Sequence, residues 1–229
     1  MELEITAIAD HGILGLSSES FRALELDEFG KTTSSSSSSS SETTIPQALV
    51  VIGCVLEKWI RKNERVIIRA SRLKDEEAIS IFHGSKAPRL SLRQYLERVL
   101  KYSKCSTSCF VVAYIYIHRY FHNRPHFSLT SLNVHRLFIT ALMVAAKFLD
   151  DDCDNNAYYA QVGGVSTEEM NELEIEFLFS LDFKLQVPIQ LFERYCKYLE
   201  NKGGNSSGSG KYRTDHHSST RHRRRIVIG

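Results

Sequence analysis

Between residues 131 and 152, Val134, Leu137, Phe138, Ala141, Leu142, Ala145 and Phe148 recur at the spacing of one helical face. Ile139, Met143 and Val144 place further apolar side chains on other faces of the same segment. A helix apolar on most sides is one that other helices pack around, which predicts a hub at this position. A lone lysine, Lys147, stands near its end beside Ala145 and Ala146. Small neighbours let other helices approach closely, so the stem of Lys147 can lie along apolar surface with its ammonium at the rim. A lysine in a last turn also complements the helix dipole and needs no partner for that. The pattern alone leaves both readings open.

The flanking segments read as further helices. Pro46 suits a first helical position, and Val50, Cys54, Val55, Trp59 and Ile60 then predict a helix ending near Asn63. A polar connection from Arg69 to Pro88 follows. Ser91 and Gln94 form a capping-box pattern ahead of Leu92, Tyr95, Leu96, Val99 and Leu100, with the helix closing about Ser103. Thr107 is the expected cap of the next element, Cys109 to Phe121, whose β-branched residues keep a buried strand in play while its length favours a helix. Arg124-Pro125 stops it. A short element from Ala157 to Val162 runs into Gly163-Gly164, Ser166 and Glu169 cap a helix through Leu181, and Pro188 opens a last one through Leu199. The fold class expected is all-α, with six or seven helices and no strand.

One residue breaks the pattern of the helix after Ser166. Its apolar stripe is Met170, Leu173, Phe177, Leu178 and Leu181, and Glu174 falls inside that arc. A carboxylate there is costly without a partner, so Glu174 must pair within the fold, reach the rim or belong to an interface. Pairing with Lys147 is one of these outcomes.

Composition bounds the rest. The chain has 229 residues, 42% hydrophobic and 24% charged, which suits one sizeable domain with flanking segments. The N-terminus, with Glu2 and Glu4 and no basic stretch, does not resemble a secretory signal, and an intracellular protein is expected. The net charge is +2, yet residues 1–44 hold eight acids against Arg22 and Lys31, while residues 203–229 hold six bases against Asp215. The eight-serine run from Ser34 to Ser41 predicts a disordered leader over 1–45. The Gly/Ser stretch from Gly203 predicts a linker with a basic tail over 203–229, leaving a helical domain over 46–202. Arg221, Arg223, Arg224 and Arg225 form a cluster suited to nuclear import or anion binding, or simply to a solvated tail.

Catalytic and metal-binding patterns fail on inspection. Asp150, Asp152 and Asp154 have the first spacings of a calcium loop, but Asn155 replaces the required glycine and Gln161 the closing glutamate. Gly204 to Lys211 departs from a phosphate-binding loop at Asn205 and Tyr212. Five cysteines, odd in number and widely spread, fit buried free thiols, and Cys105 with Cys109 lacks a second pair for zinc. His118, among Tyr114, Tyr116 and Tyr120, reads as a satisfied core histidine. No metal, cofactor or catalytic group is expected.

The segments 95–120, 134–152 and 170–185, in that order and spacing, resemble the cyclin box, and within it the plant P-type (U-type) cyclins. The resemblance covers about residues 46–200. It implies a five-helix bundle around a central third helix, here the Lys147 helix, with an extra helix at each end. It also implies a regulatory subunit, without catalysis of its own, that forms a heterodimer with a cyclin-dependent protein kinase. Cell-cycle or phosphate signalling in nucleus and/or cytoplasm would follow. In such proteins a lysine and a fifth-helix glutamate bond the kinase backbone, and these positions resemble Lys147 and Glu174. Phe148, Leu178, Phe183 and Leu185 resemble the apolar part of that interface. Docking would favour the kinase state in which its regulatory helix carries a glutamate toward the ATP-site lysine.

Two departures from the family pattern matter. His118 stands where many cyclins carry an aspartate before the arginine, here Arg119, so the usual internal salt bridge is not expected and neither Arg89 nor Arg98 takes its role. No second five-helix repeat follows Lys202, which implies a single box. An inactive kinase scaffold and a cyclin-fold adaptor that binds nucleic acid or other proteins remain as alternatives.

Overall fold

The computed structural model describes residues 45–70 and 80–204. Among them are seven helices and no strand. They are α1 (Gln47–Ala70), α2 (Leu92–Ser103), α3 (Thr107–Asn123), α4 (Val134–Leu149), α5 (Asn156–Gly163), α6 (Thr167–Ser180) and α7 (Ile189–Gly204). The Ser-rich leader and the basic tail lie outside the described residues.

The expected hub is α4, whose residues 137–146 are all buried. It shares that place with α3, in which residues 109–117 are buried without a break. The two pack on each other more extensively than any other pair. α1 and α7 cover α3 on one side, while α2, α5 and α6 pack around α4 on the other. Continuous burial explains why α3 lacked clear periodicity: with helices on every side, each position can be apolar.

Local chemistry sets the ends. Ser91 and Gln94 make both halves of the expected capping box on α2. α1 runs seven residues beyond Asn63, because Asn63 does not terminate it. The Asn63 amide donates to the Leu129 carbonyl at 3.0 Å, and Glu64 accepts from the Ser131 amide at 2.9 Å, tying this turn to the loop before α4. Ser106, not Thr107, is the N-cap residue of α3, and Thr107 is buried in its first turn. The Ser106 hydroxyl and amide donate to the two carboxylate oxygens of Asp150 at 2.9 and 3.2 Å, joining the start of α3 to the end of α4.

Gly203 also departs from its expected role. It is buried in the last turn of α7, where a Cβ would lie 3.1 Å from Val51 Cγ2 and 3.2 Å from Gln47 Nε2. A glycine that reads as linker by composition thus serves the close approach of α7 to α1, and the helix ends two residues past Lys202.

Candidate functional site

The ends of α4 and the middle of α6 bring the two anomalous charges together. Lys147 donates to Glu174 Oε1 at 2.7 Å, with the side chains 33% and 16% exposed. The other Glu174 oxygen accepts from Asn156 Nδ2 at 2.7 Å, and Asn156 also donates to Asn171 Oδ1 at 2.7 Å. A carboxylate inside an apolar arc is thus satisfied by two donors from α4 and α5, which resolves the cost that its position implied. As a partly exposed pair it contributes only about 0.2–1 kcal/mol to folding. An ammonium carries three donors and a carboxylate about four acceptor sites, so neither group is saturated by these contacts.

The neighbouring surface carries several apolar side chains. Phe148 is half-exposed, and Leu178 and Leu185 are partly buried against the core. Phe183 is 59% exposed and meets the ring of Phe179 edge-on at 5.2 Å. Three further exposed apolar side chains, Leu149, Ile175 and Phe179, were not anticipated. A signal for two of them existed: Met170, Leu173, Phe177 and Leu181 already supply the core face of α6, so Ile175 and Phe179, four apart, form a second apolar row that the core does not need.

Phe183 sits in a demanding backbone. Asp182 and Phe183 are consecutive residues in the left-handed region, with φ of 54° and 53°, a conformation that costs a non-glycine residue about 1–2 kcal/mol. The Phe183 amide donates to the Leu178 carbonyl and the Asp182 amide to the Phe179 carbonyl, both at 3.0 Å, folding the turn back over the end of α6.

The remaining candidates separate from this site. The aspartates do not converge: Asp150 holds Ser106, while Asp154 pairs with Lys104 at 3.3 Å. Cys105 and Cys109 are buried thiols bonded to different partners, Tyr159 and Ser106, and burial pushes both upward in pKa. All five cysteines are free, as expected, with Cys196 also buried, while Cys54 and Cys153 are exposed. Arg98 donates to the carbonyls of Gln161 and Val162, tying α2 to the end of α5. No helix of the described residues is long and apolar enough to cross a membrane. Arg221, Arg223, Arg224 and Arg225 lie outside the described residues.

His118 differs from the satisfied core histidine expected. It packs among Trp59, Tyr114 and Tyr195, yet its Nε2 has no hydrogen-bond partner. Desolvation lowers its pKa to about 4, so the ring is neutral at pH 7. A concavity of about 340 Å³ opens beside it, lined by Trp59, Tyr114, Phe121, Phe127 and Tyr198, and neither Lys147 nor Glu174 borders it.

Comparison with known proteins supplies the context for this geometry. A family model described as Cyclin matches residues 15–185, starting inside the Ser-rich leader and ending before α7. The chain is 49% identical over 160 residues to Cyclin-P3-1 of Oryza sativa subsp. japonica, covering 70% of this chain and 66% of that one. It is 45% identical over 161 residues to Cyclin-U1-1 of Arabidopsis thaliana, covering 70% and 76% respectively. Cyclin-U4-1 of Arabidopsis thaliana is 45% identical over 163 residues, covering 70% and 78%.

Proposed function

The chain belongs to the cyclin family, and from that premise we propose that it is the regulatory subunit of a heterodimer with a cyclin-dependent protein kinase. Lys147 and Glu174 are the polar anchors of the interface, and Phe148, Leu178, Phe183 and Leu185 are its apolar part. The observation that carries this reading is the placement of an unsaturated ion pair at a rim where several large apolar side chains face solvent. Exposed apolar surface around a fixed polar pair combines burial energy with register, as docking requires. Each charged hydrogen bond to the kinase backbone contributes about 1.5–3 kcal/mol.

Docking then favours the active arrangement of the kinase, and phosphoryl transfer belongs to the partner. Cell-cycle or phosphate signalling, in nucleus and/or cytoplasm, is the setting proposed. The nucleic-acid alternative draws little support from the described bundle, because Arg98, Arg119, Arg124 and Arg136 each hold partners within the chain.

The test uses purified full-length chain and candidate cyclin-dependent kinases. Lys147→Ala with Glu174→Ala abolishes pull-down while helical circular dichroism is unchanged. Pull-down unaffected by the double substitution refutes the site. A kinase assay on the complex then separates an activator from an inactive scaffold.

A further inference from the structure

The turn that carries Phe183 is held by side chains of one helix. From α3, Tyr116 donates its hydroxyl to the Leu185 carbonyl at 2.6 Å. Arg119, one turn further on, donates to the Lys184 carbonyl at 2.7 Å and the Gln186 carbonyl at 3.0 Å. Asn123, four residues later, donates to the Ser180 carbonyl at 2.9 Å. Four carbonyls around the turn are thereby anchored from one side. Between the anchors stand Asp182 and Phe183 in the left-handed region, with the Phe183 side chain turned largely to solvent.

Strained backbone persists only where its surroundings over-determine it. Here α3 adds four side-chain hydrogen bonds to the turn's own backbone bonds with α6, and the product is a presented aromatic ring with little burial inside the chain. We propose that Arg119 is a positioning residue for kinase docking: its two hydrogen bonds hold the 182–186 turn so that Phe183 is presented ready-made at the end of the helix that carries Glu174. This rests on the kinase-binding reading and extends it to a residue that does not itself face the partner. Ordering the turn on folding removes that cost from docking. The guanidinium suits the task because its planar fork spans two carbonyls two residues apart, with its centre 5.8 Å from the Tyr116 ring centroid. A lysine ammonium is a compact point charge and does not reproduce the fork. The family position that His118 leaves without its usual acidic residue is thus followed by an arginine directed at backbone.

The test is a double-mutant cycle on the full chain with a cyclin-dependent kinase that the wild type binds: wild type, Arg119→Lys, Phe183→Ala and the double variant. Affinity is read by surface plasmon resonance, and amide exchange is read at residues 182–184. Arg119→Lys weakens binding about tenfold and speeds exchange at these amides, as loss of preorganisation demands. In the Phe183→Ala background the same substitution changes affinity less than about twofold, because the effect runs through that ring. Melting curves verify that each variant is folded at the assay temperature. Should Arg119→Lys fail to fold, Tyr116→Phe, which removes the donor to Leu185, replaces it in the cycle with the same expected pattern.

Unchanged affinity in Arg119→Lys, or equal losses in both backgrounds, overturns the proposal. The Lys147→Ala, Glu174→Ala variant separates the two levels. If it weakens binding while Arg119→Lys does not, the kinase reading stands and the positioning role falls; if neither weakens binding, both fall.

Discussion

Two ion pairs join α4 to α6, Arg136–Glu169 near the start of both helices and Lys147–Glu174 at the end of α4. Their chemistry and partial burial are similar, with side chains 27% and 35% exposed in the first and 33% and 16% in the second. Their surroundings are opposite. Arg136 lies under the chain's own loop: a Cβ on Gly84 would come 2.7 Å from its Nη1, and the Gly84 amide is bonded to the Leu132 carbonyl. Lys147 is followed by Phe148 and Leu149, and Ile175 follows Glu174, all turned toward solvent. An ion pair between two helices is a fastening in one setting and, in the reading proposed above, a docking anchor in the other. What distinguishes them is that Arg136 stands against the loop at Gly84, whereas Lys147 runs directly into the exposed Phe148 and Leu149.

The largest expected effect breaks that contrast directly. Replacing Lys147 and Glu174 by alanine removes the two charged hydrogen bonds proposed to reach the kinase, together about 3–6 kcal/mol, so affinity is expected to fall at least about 100-fold. In titration calorimetry, a loss below tenfold would make the second pair a fastening like the first.

His118 sets the pH at which the comparison is valid. Its folded pKa of about 4 lies below the ordinary value of 6.5, so the unfolded chain binds more protons between these values. Stability is therefore fully present above about pH 6.5 and is lost as the pH falls toward 4, by up to about 3 kcal/mol. His118→Leu flattens this dependence in urea melts between pH 7 and 4.5. An unaltered slope would place the acid sensitivity elsewhere.

The exposed row sharpens the contrast further. Phe179 is 65% exposed, and burying that ring on docking is worth about 1–2 kcal/mol. Phe179→Ser accordingly weakens kinase binding about tenfold and leaves the melting temperature near that of the wild type. A drop in melting temperature with unchanged affinity would show the ring to be part of the fold. Smallest is the fastening: Arg136→Ala costs about 1 kcal/mol of stability, seen as a lower melting temperature, with kinase affinity kept within about twofold.

Much of the bundle was legible because helices declare themselves through periodicity and caps. Ser91 with Gln94 and the hub face of α4 fell where the spacing placed them. Lys147 and Glu174 were legible for the opposite reason: each violates the apolar pattern around it, and violations carry information. Ile175 and Phe179 were missed because a count of apolar residues on α6 does not say which row meets the core. The Arg119 clamp was beyond reach, since an arginine that bonds backbone carbonyls some 65 residues away leaves no complementary side chain in the sequence. Asn63 misled for a related reason. Its amide resembles a helix stop, and only the fold reveals the Leu129 carbonyl waiting for it.

The bond between Asp150 and Ser106 has a kinetic side. It links residues 44 apart in sequence, joining the start of α3 to the end of α4 and closing these two consecutive helices into a hairpin. Consecutive helices close shorter loops than α1 and α7 do, so this hairpin is the expected folding nucleus. Substitutions along its seam should give high φ-values, and those on α7 low ones. Lys147 stands three residues before Asp150, so a nucleus at this hairpin would lay down the proposed docking anchor before the helix that brings Glu174 has arrived.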